Sequence, residues 1–517
     1  MSSLKKLLYQ DINRDNLLNW HNTKRRWAKV LKDFPKNSEI ASVYKELVSE
    51  GKIKHNPALE KSLKVRKVRT LSGVAPFAVM MKPFKCPGNC SYCVQEPGMP
   101  KSYMSDEPAA ARAKKLIFDP RQQVLARIDQ MEKTGHKPEK LQVIVIGGTF
   151  SAYPDEYKKE FIKAILDTCN GVVAKTIKQA QTLNEKAKYR IIGLSIETRP
   201  DWITEEEVKL LRVYGVTKVQ MGVQTLDERI LQRINRGHSI VEIARATKLL
   251  RDNGFKINYH VMPNLPGSTP KKDVEMAKQM FTDERFQPDT LKLYPCIVLP
   301  NTQLYAEWKR GEYKTYDDET LIDTLIKIKQ HVPRYCRIDR LVRDITKAWT
   351  ISGTKNTNMR QIVNNRMKKL GLTCNCIRCR EIKDNAKSNN DNPILKLEKY
   401  KANDGRELFL SFEANNYLYA MLRLRFPGKK TNRLFPVLDN AALIRELQVF
   451  GQQATVSAAQ TSKTQHKSLG KRLVAKAEEI AKREGYKKIA IISGVGVRDY
   501  YRKLGYELED TYMVKGL

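Results

Sequence analysis

No hydrophobic run in this 517-residue chain is long enough to cross a bilayer. The longest uncharged apolar stretch, Val74–Met81, falls far short of the ~20 residues a membrane helix needs. The opening residues, Met1-Ser2-Ser3-Leu4-Lys5-Lys6, lead into no apolar segment of signal-peptide length, so a cytoplasmic protein with no membrane partner is expected. Cysteine is sparse too. Nine in 59.5 kDa do not make a disulfide framework, and six of them fall in two tight clusters, which suggests metal. Acidic residues are short as well: 57 Asp and Glu face 94 Lys and Arg, a formal charge of +37. A generally basic proteome is one reading of that excess. The other is a polyanion partner, because basic surface displaces the counterions of phosphates. Residues 1–72 alone carry 17 basic and 7 acidic side chains.

Residues 1–72 read as a basic helical segment, with Leu17, Leu18, Trp27, Val30 and Leu31 set among Lys24, Arg25, Arg26, Lys29 and Lys32. An ordinary amphipathic helix and a nucleic-acid face fit this pattern equally well. From residue 73 to 300 six short apolar runs alternate with helical stretches: Phe77–Met81, Leu141–Ile146, Arg190–Ile196, Lys218–Val223, Lys256–Met262 and Leu291–Tyr294. That alternation predicts an α/β fold, a partial (β/α)6 barrel with parallel strands. Residues 301–400 read as a connector, with an exposed polar loop over 384–392. Residues 401–517 read as a second α/β domain, with strands at 408–412, 417–426, 443–450 and 488–492 and a helix over 469–483.

Cys86-Pro-Gly-Asn-Cys90-Ser-Tyr-Cys93 follows the first predicted strand. Three thiolates at this spacing can hold three irons of a 4Fe-4S cluster and leave the fourth open to the amino and carboxylate groups of S-adenosylmethionine. A zinc site short of one ligand is the alternative. The position of the loop, with Tyr92 before its last cysteine, resembles the radical S-adenosylmethionine superfamily. The resemblance implies cofactor-binding roles at the ends of successive strands. Gly147-Gly148-Thr149 would hold the methionine amino group, Glu197 and Arg199 the ribose and carboxylate, and Gln224 the ribose, with Met262 a further cofactor-binding residue at its strand end.

In the second domain, Gln465, Ser468, Leu469 and Gly470 stand at the start of the long helix. Backbone N–H groups at a helix N-terminus suit a pyrophosphate. The stretch resembles the acyl-CoA loop of the GNAT acetyltransferase fold, with Ser468 where a glycine is usual. On that resemblance Glu446, Leu447, Gln448 and Val449 form the strand that pairs with the pantetheine arm, and Tyr500 and Tyr501 lie near the thioester sulfur.

A radical barrel followed by a GNAT-type domain resembles the Elongator catalytic-subunit family. The stretches that carry the likeness run from 68 to 73, 147 to 150, 196 to 201, 235 to 238 (Asn235-Arg236-Gly237-His238) and 492 to 496. The family implies a tRNA-modifying acyltransferase. A 5′-deoxyadenosyl radical takes hydrogen from the methyl group of acetyl-CoA, the carbon radical adds to carbon 5 of a wobble uridine, and thioester hydrolysis leaves a carboxymethyl group. It also implies a tRNA anticodon arm as substrate, an electron donor, other Elongator subunits as possible partners, and an acetyl-CoA role for Lys140. Cys374, Cys376 and Cys379 would bind zinc, with Cys296, Cys336 or a histidine as fourth ligand. The basic residues around them, Arg360, Arg366, Lys368, Lys369, Arg378 and Arg380, are candidates for the RNA backbone. The competing function is a protein lysine acetyltransferase with a structural iron–sulfur cluster, with Glu446 the carboxylate that would serve as its base.

Overall fold

The structure, a computed structural model, describes residues 3–13, 20–63, 70, 72–383, 392–451 and 468–517. Four helices come first: α1 (Ser3–Asn13), α2 (Trp20–Leu31), α3 (Asn37–Ser49) and α4 (Pro57–Leu63). They enclose a small core of their own, with Leu8, Trp27, Ile40, Tyr44 and Leu47 buried. Asp11 draws α1 and α2 together, accepting from the Trp27 indole and the Arg26 guanidinium, each at 2.6 Å. Leu17 and Leu18, expected in this helical segment, lie outside the described residues.

Seven parallel strands then form one sheet in sequence order: β1 (Val74–Met80), β2 (Lys140–Ile146), β3 (Arg190–Thr198), β4 (Lys218–Gln224), β5 (Lys256–Val261), β6 (Thr290–Leu293) and β7 (Arg337–Arg340). Along β1 the alternate residues Ala75, Phe77 and Val79 share one face and are buried, while Val74, Pro76 and Ala78 on the other face are half-buried. The six expected strands are present, and β7 is a seventh, drawn from the stretch read as connector. It pairs with β6 through Thr290–Arg337 and Leu291–Ile338. The order is unbroken from β1 to β7, so these two are the edges of an open half-barrel.

The second domain is one mixed sheet, ordered β13-β14-β12-β11-β10-β9-β8. Its strands are β8 (Ile394–Ala402), β9 (Gly405–Ala414), β10 (Tyr417–Phe426), β11 (Ala441–Val449), β12 (Lys488–Ile491), β13 (Glu507–Glu509) and β14 (Tyr512–Gly516). The helix Leu469–Arg483 buries Leu469, Leu473, Ala477 and Ile480, the face its apolar spacing predicts. Strands β11 and β12 pair in parallel from Ala441–Lys488 to Ile444–Ile491, and the last bond between them runs from the Ile492 N–H to the Ile444 carbonyl. Past that point β11 continues through Val449, paired among the described residues only with β10. The sheet is therefore splayed, and among the described residues nothing pairs with the other backbone edge of Glu446–Val449.

Buried charge joins the two sheets. Arg445 donates to both oxygens of Asp289 and to Glu407, Arg423 donates to Glu446 and the Tyr335 carbonyl, and Arg425 donates to Asp252. The turn Gly494–Gly496 lies against β3 so closely that a Cβ on Gly494 would stand 2.0 Å from the Ile192 carbonyl oxygen. No helix among the described residues is long and apolar enough to cross a membrane.

Candidate active site

One cavity of about 1260 Å³ is lined by expected site residues from both domains. Cys86, Cys90, Cys93, Gly148, Thr149, Glu197, Arg199, Gln224 and Met262 line it at the C-terminal ends of the strands. Glu446 and Gln448, on the splayed part of β11, line it at the opposite end. Between them the wall is polar, with Gln142, Ser195, Gln220, His260 and Lys292 pointing inward from β2 to β6. A sheet interior would ordinarily be apolar, so this polar axis marks a passage for something polar.

The cysteine loop is fixed by its neighbours. The Ser91 N–H donates to the Ile234 carbonyl at 3.0 Å, Ser91 accepts from the Leu304 N–H at 2.9 Å, and the Lys101 ammonium donates to the Gly88 carbonyl at 2.7 Å. The Cys86 thiol lies 3.7 Å from the Thr149 hydroxyl. The three thiols differ in character. Burial pushes Cys93 up to about 12. Burial also opposes charge on Cys90, but Arg236, whose Nη1 is 3.4 Å from its sulfur, outweighs it and holds the thiol below its usual range.

At the neighbouring strand ends, Gly147 turns with φ 138° and Gly148 with φ 97°. A Cβ on Gly147 would press on Met81 at 3.1 Å, so the bend after β2 needs glycine. Arg199 is clamped by Asp201, with Nε–Oδ1 and Nη2–Oδ2 both 3.0 Å, and donates to the Gly237 carbonyl at 3.1 Å. Its Nη1 is buried without a hydrogen-bond partner beside Gly88. Gln224 ends β4 with φ 70°, and its amide oxygen is likewise buried and unpartnered. These two orphan groups, a donor and an acceptor, fit a zwitterionic nucleoside such as S-adenosylmethionine. Glu197 is less free than expected. Tyr103 donates to one of its oxygens at 2.5 Å and Lys292 to the other at 3.0 Å. Burial works against its charge, but Lys292 and His260 prevail and hold it at about 2. Tyr92 and Met262 are half-buried in an apolar group with Leu265 and Cys296.

At the other end, side chains alternate along β11. Glu446 and Gln448 face the cavity, while Leu447 and Val449 approach Gly470. A Cβ on Gly470 would lie 2.9 Å from the Tyr500 hydroxyl and 3.4 Å from Val449, so helix start, splayed strand and Tyr500 meet at one point. Tyr501 is buried between Tyr500 and Tyr506, with ring centroids 5.2 and 6.1 Å away. Ser468 is exposed and left-handed, φ 52°, just before Leu469. Gln465 lies outside the described residues. Lys140 does not line the cavity. It begins β2 beside Arg190, which packs under Gly496, and burial followed by the Arg190 charge lowers its pKa.

Cys374, Cys376 and Cys379 bring their sulfurs within 4.8 Å of one another, the only such group of three among the described residues. Among the described residues, none of the expected fourth ligands joins them. Cys336 is buried in the core and its backbone carbonyl accepts from Ile377, while Cys296 belongs to a separate apolar group with Tyr313. The Lys329 ammonium lies 3.7 Å from the Cys379 sulfur. The basic residues around the trio are also not uniformly available. Arg380 is buried on Glu413 at 2.6 Å, Arg360 donates to the Ile338 carbonyl, and Arg366 and Arg378 are paired with Glu319 and Glu381. Lys368 and Lys369 remain exposed.

Sequence reasoning missed several residues that the structure puts at the site: Lys101, Tyr103, Gln220, Lys292 and the role of Arg236. The polar residues within β4, β5 and β6, which otherwise read as core strands, were the available signal.

Comparison with known proteins agrees with this geometry. Residues 82–280 match the radical SAM superfamily and residues 288–369 the radical SAM C-terminal domain. The chain is 43% identical over 498 residues to the tRNA uridine(34) acetyltransferase of Methanocaldococcus jannaschii, covering 93% of this chain and 90% of that protein. It is 38% identical over 483 residues to human Elongator complex protein 3, covering 90% and 88%. The solved structure of Methanocaldococcus infernus Elp3 with an N-terminal deletion aligns with a TM-score of 0.76 at 40% identity, over 86% of this chain and 99% of that one.

Proposed function

The chain belongs to the family of tRNA uridine(34) acetyltransferases and Elongator complex protein 3, and we propose that it modifies the wobble uridine of tRNA, building a carboxymethyl group on carbon 5 from acetyl-CoA. The observation that carries this reading is the shared cavity, with the cysteine loop at one end and the splayed strand at the other. A self-sufficient acetyltransferase needs no opening into a barrel, and a self-sufficient radical enzyme needs no splayed sheet.

Cys86, Cys90 and Cys93 would hold the 4Fe-4S cluster. Together, cluster and S-adenosylmethionine supply a carbon-centred radical able to take hydrogen from a methyl group. The rest falls to the chain's own residues. Gly147, Gly148 and Thr149 bring backbone close to the methionine end. Arg199 offers its free Nη1 to the carboxylate, and Gln224 its amide oxygen to a ribose hydroxyl. Glu197 reaches the ribose by releasing Tyr103 or Lys292. Leu469, Gly470 and the open edge of Glu446–Val449 receive the acyl carrier, with Tyr500 beside the thioester and Lys140 supporting from β2. Zinc on Cys374, Cys376 and Cys379 would fasten β7 to the second sheet, since Ile377 bonds to Cys336 and Ile382 bonds to Leu418. The excess positive charge serves the tRNA backbone, the target base being splayed into the cavity. A cytoplasmic setting, an external electron donor and, in some settings, other Elongator subunits complete the proposal.

The lysine acetyltransferase alternative is disfavoured by Glu446. Burial alone would raise its pKa, but Lys256 and Arg423, the latter donating at 2.9 Å, hold it below the usual carboxylate range, which makes it a poor base. The test is anaerobic reconstitution with S-adenosylmethionine, acetyl-CoA and tRNA. Modified uridine should appear by mass spectrometry, and Cys90→Ala should abolish it while tRNA binding persists. Product from the Cys90→Ala chain would refute the radical route.

A further inference from the structure

The stretch Asn235-Arg236-Gly237-His238 touches the cysteine loop through Arg236 but takes no part in the function proposed above. It follows the short helix Glu228–Arg233 and packs against the cysteine loop. The Ile234 carbonyl accepts from Ser91, the Gly237 carbonyl accepts from Arg199, and His238 Nδ1 lies 3.6 Å from Asp201. Arg236 reaches furthest. It is buried, donates through Nε and Nη2 to the Gly222 carbonyl at 3.2 and 2.5 Å, and aims Nη1 at the Cys90 sulfur from 3.4 Å. A Cβ on Gly222 would lie 2.7 Å from Nη2, so the absence of a side chain on β4 makes room for the guanidinium.

We propose that Arg236 is an electrostatic tuning residue for the iron–sulfur cluster, raising its reduction potential through a fixed positive charge and a hydrogen bond to the Cys90 thiolate. This rests on the reading that Cys86, Cys90 and Cys93 hold a 4Fe-4S cluster. Reduction adds one electron from an external one-electron donor, which is itself oxidised, with no bond made or broken. The added negative charge is stabilised by a buried cation and by N–H donation to a ligand sulfur, both of which favour the reduced form. A guanidinium cannot escape this role by losing its proton. Its planar fork also explains the double contact with Gly222, which keeps Nη1 directed at sulfur.

A purely structural Arg236 would hold the loop without moving the potential, and that separates the two cases. The full-length chain is reconstituted anaerobically, and iron and sulfide are counted. The cluster is then titrated with dithionite, the reduced state being read by electron paramagnetic resonance. Arg236→Gln should lower the midpoint by at least about 59 mV, a tenfold fall in the reduced-to-oxidised ratio at fixed potential for one electron. Arg236→Lys, which keeps the charge but not the fork, should fall between Gln and wild type. If Arg236→Gln cannot retain iron, Gly222→Ala, which displaces the guanidinium without removing it, should lower the midpoint in its place. A reduced-to-oxidised ratio at fixed potential that changes less than about twofold in an iron-replete Arg236→Gln chain, or in an iron-replete Gly222→Ala chain if the first is empty, overturns the proposal. A wild-type chain that takes up no cluster would instead overturn the reading beneath it.

Discussion

Gly470 shows how much one side chain, or its absence, decides. The space its missing Cβ leaves is filled by the Tyr500 hydroxyl on one side and Val449 on another. Gly470→Ala should push Tyr500 away from the helix start and weaken acetyl-CoA binding about tenfold, or ~1.4 kcal/mol, by calorimetry. Iron content should be unchanged, because the cysteine loop is at the far end of the cavity. At this scale, residues whose chemistry is local were legible in sequence: the cysteine spacing, the paired glycines after β2, the glycine of the helix start. Residues whose role comes from distant partners were not. Arg236 meets Cys90 across 146 positions, and Lys292 meets Glu197 across 95, with no spacing rule to reveal either pair. The basic set around Cys374 misled for the same reason, since Arg380 is committed to Glu413 on β9.

Among elements, the splay between β11 and β12 is the feature the site depends on, and the helix Leu469–Arg483 closes it. Ser468 precedes that helix in a left-handed conformation with no side-chain cap bond. A non-glycine residue there costs ~1 kcal/mol, so Ser468→Gly should raise the urea midpoint slightly without harming acetyl-CoA affinity. A lower midpoint would mean that the serine makes a contact which offsets its conformation. The long amphipathic helix and the six apolar runs of the half-barrel were readable because burial writes a period into them. Strand β7 was not, because Arg-Ile-Asp-Arg over four residues has no apolar pattern and is held by Asp339 and Arg337 side chains facing the cavity. Strand β8 was missed because it is an edge, with Ile394 and Leu397 exposed.

For the whole molecule, the two sheets are locked by buried ion pairs, and a broken buried pair leaves an uncompensated charge. Asp289→Asn leaves Arg445 with Glu407 and Arg423 with Glu446 but removes the carboxylate they share, and should destabilise the chain by ~3 kcal/mol in denaturant titration. Other buried pairs, within the half-barrel, set the acid limit. Burial would raise these carboxyls, but Lys218 and Arg337 hold Asp339 at about 2, and His238 and Arg199 hold Asp201 at about 2. A depressed folded-state pKa gives stability that is complete above the unfolded value of ~3.9 and is lost as pH falls toward 2. Melting temperature should therefore drop steeply below about pH 4, and a flat profile there would contradict the assigned pairs. The +37 charge, at first only a pointer to some polyanion, now belongs to a chain whose relatives act on tRNA. The central claim is that one cavity joins radical and acyl chemistry. It is tested most directly with acetyl-CoA deuterated in its methyl group, incubated anaerobically with the reconstituted chain, S-adenosylmethionine and tRNA. Deuterium is expected in the recovered 5′-deoxyadenosine together with a labelled carboxymethyl uridine. Unlabelled 5′-deoxyadenosine alongside modified tRNA, or label found only on protein lysine, would contradict it.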